Sequence, residues 1–196
     1  AAHTGLTNIV ELLLAKISNE QLVQVDGDGN TALMIAARGG HIEIVELLLA
    51  KLSNEQLDQA NKQGITALMI ATYKGHTEIV KLLLAKLSNE QLGQANRDGK
   101  TALVIAVTKG YTNIVKLLLA KLSNKQLGQV DRGDNTALFY AAVSGSDIIV
   151  KLLLSKLSNE QIRQTNKDGI TALYCAAWQG HTEIVKLLLP KLSPEQ

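Results

Sequence analysis

A chain of 196 residues with 46% apolar and 19% charged side chains suits one ordinary domain or two small ones, and it is neither disordered nor collagenous. Lys+Arg 20 against Asp+Glu 18 leave a formal charge of +2, which argues against a general polyanion binder. The longest apolar runs, seven residues at Ala137–Val143 and at Ala172–Trp178, fall far short of the roughly 18 needed to span a bilayer.

Cys175 is the single cysteine and cannot form an internal disulfide. The sequence carries no Asn-x-Ser/Thr sequon and opens without a basic stretch followed by an apolar signal. A reducing compartment, the cytoplasm, is therefore expected, or a host cytosol if the chain belongs to a secreted bacterial effector. Phe139, Trp178, Tyr73, Tyr111, Tyr140 and Tyr174 are the only aromatics, so the core must be thin and aliphatic.

Thr-Ala-Leu recurs at Thr31, Thr66, Thr101, Thr136 and Thr171, a fixed step of 35. Residues 66–100 and 101–135 share 24 identities in 35 positions with no insertion, so the chain is a tandem array of about 5.6 units. In chain order these are a partial repeat at 1–30, repeats at 31–65, 66–100, 101–135 and 136–170, and an incomplete repeat at 171–196. Ala1–Gly5 aligns with Ala36–Gly40, so the array is expected to begin in mid-repeat.

Within one unit, Thr66–Gly75 reads as a short helix, with Thr66 as N-cap and Gly75 free to take the left-handed conformation that closes it. A second helix follows at 77–86, with Ile79, Val80, Leu83 and Leu84 on one apolar stripe and Lys81 outside it. Neither helix is long enough to stand alone, so each antiparallel pair must bury its apolar sides against its neighbours. Leu52–Leu57 and its copies follow, where Ser53 can cap a further helical turn with Gln56 at the third position. The last copy, Ser193-Pro194-Glu195-Gln196, agrees by placing Pro at the first helical position. Asn61-Lys62-Gln63-Gly64 then has the form of a β-turn. In the fourth such turn, Asp131-Arg132-Gly133-Asp134, the glycine has moved one place, and a local irregularity is expected there.

The pattern Gly-x-Thr-Ala-Leu-x-x-Ala-x-x-x-Gly-His-x-Glu-Ile-Val-x-Leu-Leu-Leu resembles the ankyrin repeat, end to end, with Gly40-His41, Gly75-His76 and Gly180-His181 at the family's Gly-His step. The resemblance implies an all-α, ankyrin-like helix-turn-helix solenoid with short finger turns. Two departures stand out. Where family members read Thr-Pro-Leu-His, this chain has Thr-Ala-Leu followed by Met34, Met69, Val104, Phe139 or Tyr174, so an apolar side chain must replace that histidine. The family period of about 33 is lengthened by two residues through the added Leu-Ser-Asn-Glu-Gln-Leu turn.

Candidate chemistry weighs toward scaffold. His41, His76 and His181 share one slot with neighbours roughly 10 Å apart, the spacing of packed helices, which forbids a shared zinc. Cys175 stands where Ile35, Ile70, Ile105 and Tyr140 stand in other units and reads as a small hydrophobe. Lys81, Lys116, Lys151 and Lys186, with Lys51, Lys86, Lys121, Lys156 and Lys191, form a solvated basic face, with Glu78 and Glu183 placed to pair with Lys81 and Lys186. No nucleophile–base pair, phosphate loop, paired carboxylates or dinucleotide fingerprint appears, so neither catalysis nor a cofactor nor a metal is expected.

The slots that vary most between units lie on the first helix and the finger. They hold Arg38, Tyr73, Thr108, Val143 and Trp178; then Lys74, Lys109, Ser144 and Gln179; then Lys100 with Asn30, Ile65, Asn135 and Ile170; then Lys62, Arg97, Arg132 and Lys167. A packing slot cannot alternate between such volumes, so all are expected to be exposed. In the ankyrin family these slots line the concave surface that grips partner proteins, which makes Trp178 and Tyr73 candidate anchors. The expected function is a noncatalytic protein–protein interaction module, monomeric, whose partner carries an acidic surface, with no nucleic acid or membrane partner. Neither end shows the polar substitutions of a capping repeat, so a truncated array is expected, and a targeting or adaptor fragment of a larger enzyme or secreted effector is the alternative. A nucleic-acid binder using the lysine face is the remaining rival.

Overall fold

The computed structural model of the chain describes Lys16 and residues 19–192. The beginning of the partial first repeat and the Pro194 turn lie outside the described residues. The chain divides into two compact units, one ending at Arg97 and the other beginning at Asp98.

In the first unit, α1 (Asn19–Leu22) precedes α2 (Ala32–Gly39), α3 (Ile42–Lys51) and α4 (Asn54–Leu57), and then α5 (Ala67–Lys74), α6 (Thr77–Lys86) and α7 (Asn89–Leu92). The expected capping explains where these helices start. Thr66 Oγ1 accepts from Met69 N at 3.3 Å, and Gly75 closes α5 at φ 75. Helix α5 packs on α2 and α6 on α3. Ile79, Val80, Leu83 and Leu84 of α6 are buried, whereas Lys81 lies outside and pairs with Glu78 at 2.8 Å. The added segment is helical: Ser53 accepts from Gln56 N and donates its own N–H to Gln56 Oε1 at 2.9 Å, a complete capping box.

The second unit repeats the plan with α8 (Ala102–Thr108), α9 (Thr112–Leu119), α10 (Asn124–Leu127), α11 (Ala137–Ser144), α12 (Asp147–Leu154), α13 (Asn159–Arg163), α14 (Ala172–Trp178) and α15 (Thr182–Leu192). Helix α11 lies against both α8 and α14, and α12 against both α9 and α15. Met34, Met69 and Val104 are buried in the slot of the missing family histidine, as the sequence requires. Phe139 is half-buried there and Tyr174 is exposed. Beside the helices, Thr165 and Thr171 form an isolated antiparallel bridge at the base of a finger.

The fingers are held by backbone. Lys62 N donates to Asp28 O at 3.1 Å and Arg97 N to Gln63 O at 2.9 Å in the first unit. In the second, Arg132 N donates to Asp98 O at 2.9 Å and Lys167 N to Gly133 O at 3.0 Å. The irregularity expected at Asp131–Asp134 is confined to one residue. The turn keeps its hydrogen bond, Asp134 N to Asp131 O at 3.0 Å, because Asp134 itself takes φ 60, the left-handed conformation that glycine supplies in the other fingers. Asp134→Gly should therefore stabilise the protein by about 0.5–1 kcal/mol, read as a higher urea midpoint. A lowered midpoint would show that the carboxylate contributes more than the backbone conformation costs.

Candidate functional site

Helix α2 buries Leu33, Met34, Ala36 and Ala37, which leaves Arg38 at its end in solvent, where Nη2 donates to Asn30 Oδ1 at 3.2 Å. One repeat later Tyr73 is 53% exposed and Lys74 is exposed beside it. Lys62 is exposed on the finger, and its Nζ reaches back to Gly27 O at 2.6 Å. Arg97 is exposed as well. In all four finger links the residue that donates the backbone N–H carries a cationic side chain. The ladder thus fixes the spacing of Lys62 and Arg97 in one unit and of Arg132 and Lys167 in the other.

In the second unit Thr108, Lys109, Val143, Ser144, Trp178, Gln179, Arg132 and Lys167 are all exposed. Thr108 and Ser144 turn inward nonetheless: Thr108 Oγ1 donates to Val104 O at 2.8 Å and Ser144 Oγ to Ala141 O at 3.1 Å. Trp178 is 77% exposed and stacks on Tyr174, with ring centroids 6.3 Å apart and planes 11° from parallel. The two rings, with Ile170, Cys175 and Gln179, line a shallow cavity of ≈ 290 Å³. Tyr174 did not stand out in the sequence, because its slot reads as core in the other units. The signal was the (i, i+4) spacing to Trp178, which puts two aromatics on one face of a helix.

One slot corrects the expectation of exposure. Asn30 is buried, and Ile65, Lys100, Asn135 and Ile170 are half-buried, because the slot sits where neighbouring fingers meet. Asn61 Nδ2 donates to Asn30 Oδ1 at 2.9 Å, and Asn166 Nδ2 donates to Asn135 Oδ1 at 3.1 Å. Lys100 places its ammonium 5.5 Å from the centre of the Tyr140 ring. Tyr140 in turn donates to the buried Asp131 carboxylate, which also accepts from Gly133 N at 2.8 Å and Asn135 N at 2.9 Å. Burial opposes the charge on Asp131, but the Tyr140, Asn135 and Gly133 bonds outweigh it and hold that carboxyl below its ordinary range. The Tyr140 hydroxyl is pushed up to about 12 by burial and by Asp131. This network holds a finger in place and leaves Lys100 a flanking contributor to the edge.

The remaining candidates behave as scaffold. His76 Nε2 lies 3.4 Å from Arg38 O and His181 Nε2 3.3 Å from Val143 O, so each histidine bridges to the end of the preceding unit's first helix. Cys175 is half-buried, and burial pushes its thiol up, away from thiolate. Among the described residues no group of three or more His, Cys, Asp or Glu could hold a metal ion, and no helix is long and apolar enough to cross a membrane.

The chain matches a family model described as ankyrin repeats (3 copies) over residues 1–58, 51–131 and 120–195. The crystal structure of EF0377, an ankyrin repeat protein, is similar at 30% sequence identity and a TM-score of 0.82, covering 95% of this chain and 92% of that one. No curated protein matches the chain.

Proposed function

The chain belongs to the ankyrin repeat family, whose repeats are generally protein–protein interaction modules, and we propose that it binds a partner protein through its first-helix ends and fingers. The unbroken period of 35 through Arg97 and Asp98 supports reading it as one repeat array. The observation that carries the proposal is the exposure of large aromatics in the most variable slot, Tyr73 at 53% and Trp178 at 77%, in units whose finger cations are spaced by backbone bonds. Buried aromatic anchors dominate interface energies, and an exposed tryptophan is the side chain that gains most from being covered. Lys62 and Arg97 in one unit, and Arg132, Lys167 and half-buried Lys100 in the other, favour a partner surface with acidic groups around the anchor pockets. Asp98 and Asp168 keep that preference modest. The role is noncatalytic.

The test is affinity capture from a native cytosolic extract on the wild-type chain, followed by titration of the captured protein against variants. Trp178→Ala and Tyr73→Ala should each weaken binding by about 1–3 kcal/mol while leaving the thermal midpoint nearly unchanged. If either substitution lowers the midpoint and leaves binding intact, the ring belongs to the scaffold and the edge assignment fails.

A further inference from the structure

The added turns create a second surface that shares no residue with the finger edge. Between α10 and α13 an open groove of ≈ 880 Å³ is lined by Asn124, Lys125, Gly128, Ser158, Glu160, Gln161, Arg163, Gln164 and Thr165. Its floor is built. Gln161 Oε1 accepts from Ser158 N at 2.9 Å while its Nε2 donates across to Asn124 O at 2.7 Å, so the capping glutamine also ties one repeat to the next. Gly128 makes room for it, since a Cβ there would come within 2.6 Å of that Nε2.

Two substitutions between repeats converge on this groove. The slot of Lys125 holds Glu20, Glu55, Glu90 and Glu160 in the other units, and the slot of Arg163 holds Val23, Asp58, Gly93 and Gly128. Charge has been reversed at one wall and introduced at the other, whereas in the first unit the corresponding slots of α4 and α7 carry Glu55, Asp58 and Glu90. Lys125 and Arg163 are both exposed on the rim. Neither substitution is required by packing, because Leu127 and Ile162 fill the buried positions of these turns as Leu57 and Leu92 do in theirs.

We propose that this groove binds an acidic, extended segment of a partner protein, with Lys125 and Arg163 facing its carboxylates. The side-chain amides of Asn124 and Gln164 and the hydroxyls of Ser158 and Thr165 supply pairing groups for a peptide main chain, and Glu160 can accept a main-chain N–H. A nucleic-acid strand fits less well, for no aromatic lines the groove to stack a base and Glu160 stands against a continuous row of phosphates.

Fluorescein-labelled hexa-aspartate, titrated against the full chain at low salt by anisotropy, tests the proposal alongside a labelled hexa-uridylate. The variant Lys125→Glu with Arg163→Gly uses only residues that sibling repeats carry at those slots, so its urea midpoint should stay at the wild-type value. Its affinity for hexa-aspartate should fall at least tenfold. In the wild type, amide chemical-shift changes on peptide addition should centre on Ser158, Gln161, Gln164 and Thr165. An unchanged affinity in the variant, shift changes confined to the fingers at Arg132 and Lys167, or tighter binding of hexa-uridylate than of hexa-aspartate would each overturn the proposal.

Discussion

Leu83→Ala should lower the free energy of unfolding by about 3–5 kcal/mol, near the top of the range for leucine truncation. Leu83 is 0% exposed in α6, and so are its counterparts Leu118, Leu153 and Leu188, while Leu48 is 2% exposed. The slot therefore has no solvent side toward which the cavity could collapse. Helix α6 spans ten residues and is too short to persist without its packed face, so backbone cannot easily move to fill the hole. Leu82, one residue earlier, is only half-buried, and Leu82→Ala should cost about half as much. Urea denaturation of the two variants separates a loss of buried volume from a change in helix propensity, since Ala is the better helix former at both sites. Equal losses at the two positions, or a loss below about 1 kcal/mol at Leu83, would contradict the packing described.

Much of this fold was legible because the sequence repeats its own evidence. The 3.6-residue stripe of Ile79, Val80, Leu83 and Leu84, the Thr66 cap and the Ser53–Gln56 box are local patterns, and local hydrogen bonding and periodicity decide them. The Glu78–Lys81 and Glu183–Lys186 pairs follow from helical spacing in the same way. What could not be read were the relations between repeats. The backbone bond from Lys62 to Asp28, the Asn61–Asn30 link and the reach of His76 to Arg38 O span 31 to 38 residues, and stacking geometry sets them. That geometry also turned Asn30 inward, where variability alone suggested exposure. Arg38, Tyr73 and Trp178 are exposed, as their variability implied, but variability could not separate an exposed slot from one that satisfies side chains of different size at a seam.

The seam between fingers also determines the second large effect, expected from Gly99→Ala. Gly99 takes φ +79, and an alanine there bears the left-handed penalty of about 1–2 kcal/mol. A second cost comes from space. A Cβ on Gly99 would lie 2.7 Å from Asp131 Cα and 2.9 Å from Arg132 N, both backbone atoms that cannot rotate away. The next finger must shift, and the bond from Arg132 N to Asp98 O, 2.9 Å long, is the contact that shift would stretch. Losing it adds about 0.5–1.5 kcal/mol, for a total of about 1.5–3.5 kcal/mol. Gly169 supplies the internal control. It takes φ +73, yet a Cβ there meets nothing within 4 Å, so Gly169→Ala should cost only the conformational part, about 1–2 kcal/mol. The difference between the two variants in urea denaturation therefore measures the finger-to-finger contact by itself. Slowed amide exchange at Arg132 in the wild type, lost in Gly99→Ala and kept in Gly169→Ala, would locate the effect at that bond. Equal destabilisation of the two variants would mean that the fingers yield freely, and backbone bonds could not then hold Arg132 and Lys167 of the proposed edge in fixed register.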